Sequence, residues 1–327
     1  MKKYWFGIIY TFLLVAFTFY LLMDTFVIER VYESVIEPSG ESTEKETVSD
    51  SQVITGAKTD TEQAEDTESD LNVEMEASPE LSEPIITDNY YEDGNIIVSL
   101  KEYRENETAI YVADIIITSP EYLKTALAKD SYGKNVTEKT STMAERNKAV
   151  IAVNGDYYGV RERGYVIRNG VLYRSAAGED REDLVIYDDG SFDIINESLL
   201  EANELLEGGA EQVLSFGPAL IIDGRISVDE DDEVSQSMRS NPRTAIGIIE
   251  KGHYLMVVSD GRTKESAGLS LYELAEFMQS LGAVIAYNLD GGGSATMYFC
   301  GEIINKPTSN GKSIKERSVS DIVYIGY

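Results

Sequence analysis

Reactive side chains are scarce in this chain of 327 residues, which contains one cysteine, one histidine and one tryptophan. Because Cys300 is the only cysteine, an intramolecular disulfide framework is excluded and the fold depends on its core. The lone histidine, His253, lies in a predicted hairpin turn, which argues against a Ser-His-Asp triad and excludes a histidine-rich zinc site. EF-hand, Walker A and Rossmann fingerprints are also missing from the sequence.

Basic residues are in short supply as well. The 28 lysines and arginines are outnumbered by 58 aspartates and glutamates, and the net charge is −30. Nucleic-acid phosphates attract basic surfaces, so this balance argues against a nucleic acid as partner. A small phosphorylated substrate stays possible, because one pocket can be basic in an acidic protein.

One long apolar run stands near the N-terminus. Residues Tyr4–Met23 carry no charge and follow two lysines, and about 20 apolar residues suffice to span a bilayer. A secretory signal peptide is the alternative, but Tyr20–Asp24 offers no small-x-small cleavage site. The lysines favour a cytoplasmic N-terminus, which leaves the rest of the chain outside. We therefore expect an uncleaved signal anchor over residues 1–24.

The segment after the anchor is strongly acidic. Residues Pro38–Pro84 contain no aromatic residue and carry 14 acidic against 2 basic side chains, a net charge of −12. Such a stretch repels itself and buries too little apolar surface to fold. The sequence therefore predicts a disordered tether over 25–90 and one folded domain over 91–327.

The folded part has short apolar segments around turn residues, which predict β-hairpins and a largely antiparallel or mixed sheet. The predicted pairs are Ile96–Arg104 with Glu107–Ile117, Val166–Arg168 with Val171–Tyr173, Leu184–Tyr187 with Ser191–Ile195, Ala219–Ile222 with Ile226–Val228, and Ala245–Ile249 with Tyr254–Val258.

Two helices are predicted to pack against this sheet, which gives an α+β fold. Ser270 and Glu273 form a capping box before an amphipathic stretch that stops at Gly282. A weaker candidate covers Ser141–Lys148.

An eight-residue pattern comes after each predicted helix, as AVIAVNGD at Ala149–Asp156 and as AVIAYNLD at Ala283–Asp290. A strand places residues i and i+2 on one face. Asn154 with Asp156, and Asn288 with Asp290, would therefore converge if the two strand ends lie side by side. The two copies are either related halves or two equivalent positions in one sheet. The alternative is that AVIA marks any buried strand and the Asn-x-Asp residues merely turn the chain.

Candidate binding residues surround both copies. Three glycines after Asp290 permit close backbone approach and could form an anion-binding concavity, although a flexible turn is the simpler alternative. An aromatic pair comes after Asp156 and suits stacking on a sugar ring. The candidates in these two motifs are Tyr157, Tyr158, Gly291, Gly292, Gly293, Ser294 and Thr296.

Arg243 opens one predicted strand, and Asp260 and Arg262 end its hairpin partner, so all three would lie at the same end. Arginine presents a planar fork of donors suited to phosphate, though a salt bridge is the ordinary role in so acidic a chain. We expect no cofactor. An all-oxygen Ca²⁺ or Mg²⁺ site at Asp156 and Asp290 is a less favoured alternative.

Five motifs taken together resemble the phosphodiester glycosidase family, and they occur in that family's order between about Asn95 and Tyr327. They are AVNGDYYG, SFGPALI, NPRTAIG, VVSDGR and NLDGGGSATMY. The closing Arg317–Asp321 departs modestly from the family's Arg…Asn ending.

The resemblance implies a hydrolase that cleaves a sugar from the phosphate of a glycosyl phosphodiester. Asp156 and Asp290 would supply the carboxyl pair, with Arg243 and the glycines on the phosphate. Asn154 and Asn288 would bind sugar hydroxyls or orient the carboxylates. With the outward-facing anchor it suggests a bacterial surface enzyme, single-pass in the cell membrane, that acts on cell-envelope or exopolysaccharide polymers. A non-catalytic glycan- or phosphate-binding module and a metal-dependent phosphodiesterase are the alternatives.

Overall fold

The computed structural model describes residues 2–34, 83–178, 180–231 and 240–327. In these residues it has four α-helices, namely α1 (Lys2–Phe26), α2 (Thr140–Arg146), α3 (Ala202–Glu207) and α4 (Leu271–Ser280).

The strands of the described residues are short and numerous. In chain order they are β1 (Arg30–Val31), β2 (Ile85–Thr87), β3 (Tyr90–Glu92), β4 (Ile96–Glu105), β5 (Thr108–Ile117), β6 (Leu123–Leu127), β7 (Gly133–Lys134), β8 (Glu138–Lys139), β9 (Ala149–Asn154), β10 (Val166–Arg168), β11 (Val171–Arg174), β12 (Glu182–Tyr187), β13 (Phe192–Asn196), β14 (Ala210–Leu214), β15 (Ala219–Ile222), β16 (Arg225–Ile226), β17 (Arg243–Glu250), β18 (His253–Ser259), β19 (Ile285–Leu289), β20 (Met297–Phe299), β21 (Glu302–Ile303), β22 (Ser318–Val319) and β23 (Asp321–Gly326).

Most strands belong to three sheets. A nine-stranded sheet has the order β16-β15-β19-β17-β18-β5-β4-β3-β2, and two five-stranded sheets have the orders β11-β10-β14-β12-β13 and β21-β20-β9-β23-β6. All the described strand pairs are antiparallel, and the five predicted hairpins are all present. The predicted α+β fold with a largely antiparallel sheet is therefore confirmed.

The two AVIA copies lie in different sheets. Strand β9 lies between β20 and β23, whereas β19 lies between β15 and β17. Both strands are buried, as predicted. Of the two alternatives left open by the sequence, two equivalent positions in one sheet are therefore excluded. Similar strand sequences bury equally well in any covered sheet.

The main core lies between the sheets and takes apolar side chains from all three of them. On its other face the nine-stranded sheet is covered by α4, which buries Leu271, Leu274, Ala275 and Met278 as predicted. The capping box at Ser270 is formed. Helix α2 covers the sheet that contains β9.

Helix α3 was not predicted from the sequence. It has six residues, and its capping box uses Glu201 in place of the usual Ser, Thr, Asp or Asn. Neither its length nor its cap gave a recognisable signal.

Helix α1 contains the predicted membrane span. Gly7–Phe26 is long and apolar enough to cross a membrane, and none of it is buried in the protein. The chain then pairs with the folded domain through β1 and β7. Strand β2 begins at Ile85 and β3 begins at Tyr90. Both ends of the range predicted as a tether are therefore structured, because their backbone groups find partners in sheets. Residues 35–82 lie outside the described residues, and their predicted disorder stays a prediction.

Candidate active site

A cavity of about 650 Å³ opens where the ends of β17, β18 and β19 meet the turn after β9. It is lined by residues from seven separate stretches of the chain. The lining residues are Tyr157, Arg161, Phe216, Asn241, Arg243, Arg262, Leu289, Asp290, Gly291, Gly292, Gly293, Ser309 and Arg317.

The charge of this lining is opposite to that of the chain. Four arginines, Arg161, Arg243, Arg262 and Arg317, share the wall with one carboxylate, Asp290. The protein as a whole carries −30. A concave site with several guanidinium groups attracts and orients an anion, and phosphate matches the planar donor fork of arginine. The cavity is therefore suited to an anionic ligand.

Two of the arginines are fixed by hydrogen bonds within the protein. Arg262 donates from Nε and Nη2 to Asn241 Oδ1, at 3.2 and 2.9 Å, and from Nη1 to the Ser309 carbonyl at 2.8 Å. Arg243 is buried and donates from Nε to the Leu269 carbonyl at 2.9 Å. The predicted placement of Arg243 and Arg262 at one end of a hairpin is confirmed, because Arg243 pairs with Ser259 across β17 and β18.

Arg161 reaches the cavity from the β9 side. It donates from Nη1 to the Ser215 carbonyl at 2.7 Å, and its guanidinium lies 4.8 Å from the centre of the Phe216 ring. Burial, together with the nearby charge of Arg181, lowers the pKa of Arg161. An anion in the cavity would relieve that repulsion.

Asp290 is partly exposed and projects from the end of β19. Burial raises its pKa, and the nearby Asp156 adds to the rise, while the Ser294 hydroxyl and the charges of Arg317 and Arg161 act against it. A carboxylate with a raised pKa in a cleft is a candidate for proton transfer or nucleophilic attack.

The glycines after Asp290 allow this part of the cavity wall to pack closely against adjacent segments of the chain. A Cβ on Gly293 would lie 2.2 Å from Ser309 Oγ. The amide of Gly292 donates to the Pro242 carbonyl at 2.7 Å, so this amide is engaged within the protein. All three glycines contribute to the cavity lining, and the anion-binding role of their amides stays a prediction.

Asp156 has a different environment from Asp290. Its Oδ2 accepts from Arg168 Nη2 at 2.8 Å and from the Ser215 amide at 3.0 Å, and its Oδ1 accepts from the Tyr158 amide at 2.9 Å. Arg168 also donates from Nε to Asp321 Oδ2 at 2.8 Å. All three side chains are buried. We call Asp156, Arg168 and Asp321 the buried triad.

Of the two carboxylates predicted as a catalytic pair, Asp290 lines the cavity and Asp156 is buried outside its lining, and their joint role stays a prediction. Asp156 lies outside the lining because β9 ends at Asn154, so the alternation that would align Asn154 with Asp156 stops there. Within the triad, the charge of Arg168 lowers the pKa of Asp156. Burial and the adjacent Asp156 raise the pKa of Asp321 to about 7.

The ends of the two AVIA strands nevertheless meet through their backbone. Asn154 donates from Nδ2 to the Asp290 carbonyl at 2.5 Å, and the Asp290 amide donates to the Gly155 carbonyl at 3.2 Å. Asn154 Oδ1 accepts from the Thr244 hydroxyl at 2.8 Å and from the Thr296 amide at 3.2 Å. Asn154 therefore joins both sheets directly behind Asp290.

The other predicted site residues divide between the cavity and the core. Tyr157 lines the cavity, whereas Tyr158 is buried and stacks on Tyr132. Asp260 is buried and accepts from Asn305 and from the Lys306 amide.

Three further predicted residues lie behind the cavity wall. Asn288 is buried and donates to the Gly217 carbonyl at 2.8 Å. Ser294 and Thr296 are buried in the same region.

Six cavity residues were not predicted as site residues from the sequence, namely Arg161, Phe216, Asn241, Leu289, Ser309 and Arg317. Asn241 and Leu289 stand in the motifs NPRTAIG and NLDGGGSATMY. Phe216 and Arg317 belong to segments already quoted for the family resemblance, which was the available signal. Arg161 and Ser309 stand in irregular segments with no recognisable pattern.

The amino-acid sequence of the chain is similar to a known family and to several known proteins. The phosphodiester glycosidase family matches residues 147–326, which is more than half of the chain. The SPbeta prophage-derived uncharacterized protein YomE of Bacillus subtilis is 32% identical over 203 residues, covering 60% of this chain and 31% of that protein. The N-acetylglucosamine-1-phosphodiester alpha-N-acetylglucosaminidase of Mus musculus is 32% identical over 177 residues, covering 49% of this chain and 34% of that protein.

Two solved structures share the fold. The catalytic domain of zebrafish N-acetylglucosamine-1-phosphodiester alpha-N-acetylglucosaminidase superposes with a TM-score of 0.56 at 21% identity, over 71% of this chain and 83% of that one. A hypothetical protein from Synechocystis gives 0.55 at 16% identity, over 71% and 62%. The chain spans 31% to 40% of the length of the curated relatives it matches. Its sequence match and its fold agree, and the chain belongs to the phosphodiester glycosidase family.

Proposed function

We propose that the protein hydrolyses a glycosyl phosphodiester, releasing a free sugar and a phosphomonoester. The observation that carries this proposal is the cavity in which four arginines surround one carboxylate, Asp290, at the end of the NLDGGGS motif. The family match and the names of the mouse, bovine and human relatives support the same reaction class.

The arginines act on the phosphate side of the scissile bond. As the bond between the sugar carbon and the phosphate oxygen breaks, negative charge accumulates on the leaving phosphate. Arg161, Arg243, Arg262 and Arg317 neutralise this charge, as fixed donors aimed at developing negative charge do in many active sites. Tyr157 and Phe216 offer ring faces for the sugar or the aglycone.

Asp290 acts on the sugar side, either as the base that activates a water or as the nucleophile at the anomeric carbon. A phosphate monoester has a second pKa of about 6 and leaves without the strong proton donation that an alkoxide needs. One cavity carboxylate is therefore sufficient for this substrate. Asp156 then acts by positioning, since it holds the turn that carries Tyr157 and Arg161.

The partner chemistry of Asp156 disfavours a metal-dependent phosphodiesterase. Both of its oxygens already accept hydrogen bonds, and one of the donors is a guanidinium. A divalent cation held by Asp156 and Asp290 would have to displace Arg168 from a buried site. The hydrogen-bond donors around Asp156 therefore disfavour a cation at this carboxylate, whereas the arginines of the cavity favour an anion there.

The setting of the reaction is inferred from α1. We propose that this helix is a signal anchor in the cell membrane of a bacterium, with the domain on the outer side, and that the substrate belongs to the cell envelope or to an exopolysaccharide. A non-catalytic glycan- or phosphate-binding module is the alternative function.

Isotope labelling of the products tests the reaction. The purified protein is incubated with an alkyl glycosyl phosphodiester in ¹⁸O-labelled water, and both products are analysed by mass spectrometry. Label in the free sugar, with activity retained in excess EDTA, supports the proposal. Label in the phosphate, or products that consist of a sugar phosphate and an alcohol, would show phosphodiesterase chemistry instead. Binding of the phosphodiester without turnover would establish a binding module.

A further inference from the structure

The segment after α1 is attached to the folded domain. Only residues 27–29 separate the helix from β1, and β1 pairs with β7, Arg30 opposite Lys134 and Val31 opposite Gly133. The amide of Tyr32 continues this contact by donating to the Tyr132 carbonyl at 2.9 Å. The chain thus joins the domain before it enters the acidic segment at 35–82.

Side chains add specific contacts to this junction. Asn135 donates from Nδ2 to the carbonyls of Thr25 and Ile28, both at 3.1 Å, and so caps the end of α1. Lys129 pairs with Glu29 at 2.6 Å. We call residues 25–32 and their partners at 129–135 the clamp.

The clamp also depends on a close backbone approach. A Cβ on Gly133 would lie 2.0 Å from the Arg30 carbonyl oxygen, so only glycine allows β1 to pair here. The domain surface at Gly133 therefore accommodates the backbone of β1 closely.

The clamp lies beside the candidate active site. A second cavity, of about 270 Å³, has Arg30 and Tyr32 on one side and Arg161 on the other, and Arg161 also lines the main cavity. Tyr32 packs against Tyr132, and Tyr132 stacks on Tyr158 in the turn that carries Arg161. Arg161 is therefore shared between the main cavity and the smaller cavity that β1 and Tyr32 help to line.

This arrangement limits how far the domain can stand from a membrane. Three connecting residues span about 10 Å at most. A free 48-residue tether would instead give a separation of roughly 40 Å on average and well over 100 Å when extended. Because the acidic segment comes after the clamp in the chain, its length does not set the distance between the helix and β1.

We propose that the clamp holds the domain against the outer surface of the membrane, and that its substrate is a glycosyl phosphodiester anchored in the same bilayer by a lipid aglycone. This inference rests on the proposed function and on α1 spanning the membrane. A clamped domain keeps its cavity in the headgroup layer, where a lipid-linked phosphate is concentrated and oriented. A soluble polymeric substrate would not be concentrated or oriented near the cavity by this placement.

The test uses the full-length protein in proteoliposomes with two substrates that share one glycosyl phosphate. In one substrate the aglycone is a long-chain lipid alcohol within the bilayer, and in the other it is a short soluble alcohol. The clamp is broken by Asn135→Asp with Tyr32→Ala, because aspartate tolerates the positive φ of Asn135 but places a carboxylate against two carbonyls. Asn147→Asp is the matched control, since Asn147 Nδ2 donates to the Met143 carbonyl in the last turn of α2.

We expect kcat/KM of the wild-type protein to be about tenfold or more higher for the lipid-anchored substrate. The clamp variant loses that preference and keeps its rate on the soluble substrate, and Asn147→Asp behaves as the wild type. An unchanged preference in the clamp variant, or the absence of any preference in the wild type, would overturn the inference.

A readout that is independent of turnover separates this inference from the proposed function. A fluorophore on Leu199→Cys, a highly exposed position, reports its distance to an acceptor in the lipid headgroups. Cys300 competes weakly for the label, because burial raises the pKa of its thiol to about 11. Lower energy transfer in the clamp variant supports the clamp, and equal transfer refutes it. If neither substrate is cleaved, the proposed function fails while the transfer result still decides the clamp.

Discussion

The two copies of the AVIA pattern share a strand sequence but continue into different turns. After β9, the chain turns inward and Asp156 is enclosed by Arg168 and by the amides of Ser215 and Tyr158. After β19, the glycines line a cavity, and Asp290 shares its wall with four arginines. The same Asn-x-Asp signature thus gives one saturated carboxylate and one accessible carboxylate.

The pKa values of the two carboxylates move in opposite directions for physical reasons. A fixed guanidinium lowers the pKa of Asp156, whereas burial with weaker compensation raises that of Asp290. A carboxylate that is fully paired stabilises a fold, and one that is poorly compensated is available for chemistry. The accessible copy is therefore our candidate for the reaction.

The first prediction, with the largest expected effect, tests whether Asp290 and Asp156 have different roles. Asp290→Asn removes the one carboxylate that lines the cavity among the residues the structure describes, and we expect kcat to fall by about a thousandfold or more with little change in Tm. Asp156→Asn is the matched variant. It weakens the buried triad, so we expect a lower Tm while kcat stays within about tenfold of the wild type. Steady-state kinetics and thermal unfolding of both variants provide the comparison.

Either of two results would break this comparison. If Asp290→Asn keeps its turnover, the cavity carboxylate is not catalytic. If Asp156→Asn loses turnover as completely as Asp290→Asn while remaining folded, the sequence-based prediction of a catalytic pair is correct.

Local sequence signals predicted much of the fold. Asn169-Gly170 and Asp223-Gly224 are typical of tight hairpin turns, and both hairpins are present. The capping box at Ser270 predicted the start of α4 for a similarly local reason. Such features depend on neighbours in the chain, which a sequence displays directly.

The partners of each carboxylate could not be predicted in this way. Asp156 meets Arg168, which is on another sheet, and Arg168 meets Asp321 near the end of the chain. The cavity likewise takes Arg161 from an irregular turn. These contacts depend on how three sheets pack, and packing between sheets leaves no periodic trace in the sequence. The two-residue strand β1 is too short to give any pattern.

The second prediction concerns the charge balance of the buried triad. Arg168→Met leaves two carboxylates in a buried site without their cation, and removing one partner of a buried ion pair costs about 3–5 kcal/mol. We expect the free energy of unfolding to fall by that amount in urea denaturation. Arg163→Met is the control, because Arg163 is exposed and donates only to a carbonyl in this part of the structure. A loss of less than about 1 kcal/mol would show that Arg168 does not stabilise the first copy.

The third prediction tests whether the cavity requires a glycine after Asp290 in the second AVIA copy. A Cβ on Gly293 would lie 2.2 Å from Ser309 Oγ, so Gly293→Ala displaces the loop that carries Ser309 on the cavity wall. We expect kcat/KM to fall by about tenfold, which corresponds to about 1.4 kcal/mol. Adding Ser309→Ala removes the closest contact and restores part of the activity. If the single variant has normal kinetics, the close approach of these two segments is not required for the site.

The last prediction concerns the pH dependence of stability that Asp321 gives to the buried triad. Its carboxyl has a pKa of about 7 in the native protein, against an ordinary value of 3.8, because it is buried beside Asp156. Between those values the native state holds a proton that the unfolded chain has released. Stability therefore falls as pH rises from about 4 to about 7, with a slope on the order of 1 kcal/mol per pH unit, and levels off above that range.

Asp321→Asn keeps the triad neutralised at every pH and should flatten this part of the curve. Asp183 and Asp290 also have raised pKa values and add slopes of the same sign, so the difference between variant and wild type is the diagnostic quantity. Asp156 contributes in a lower window, because its lowered pKa gives stability that is lost only as pH falls below about 4. Urea denaturation at intervals from pH 4.5 to 8 measures the difference. Parallel curves would mean that Asp321 is ionised throughout, and that Arg168 alone balances both carboxylates of the first copy.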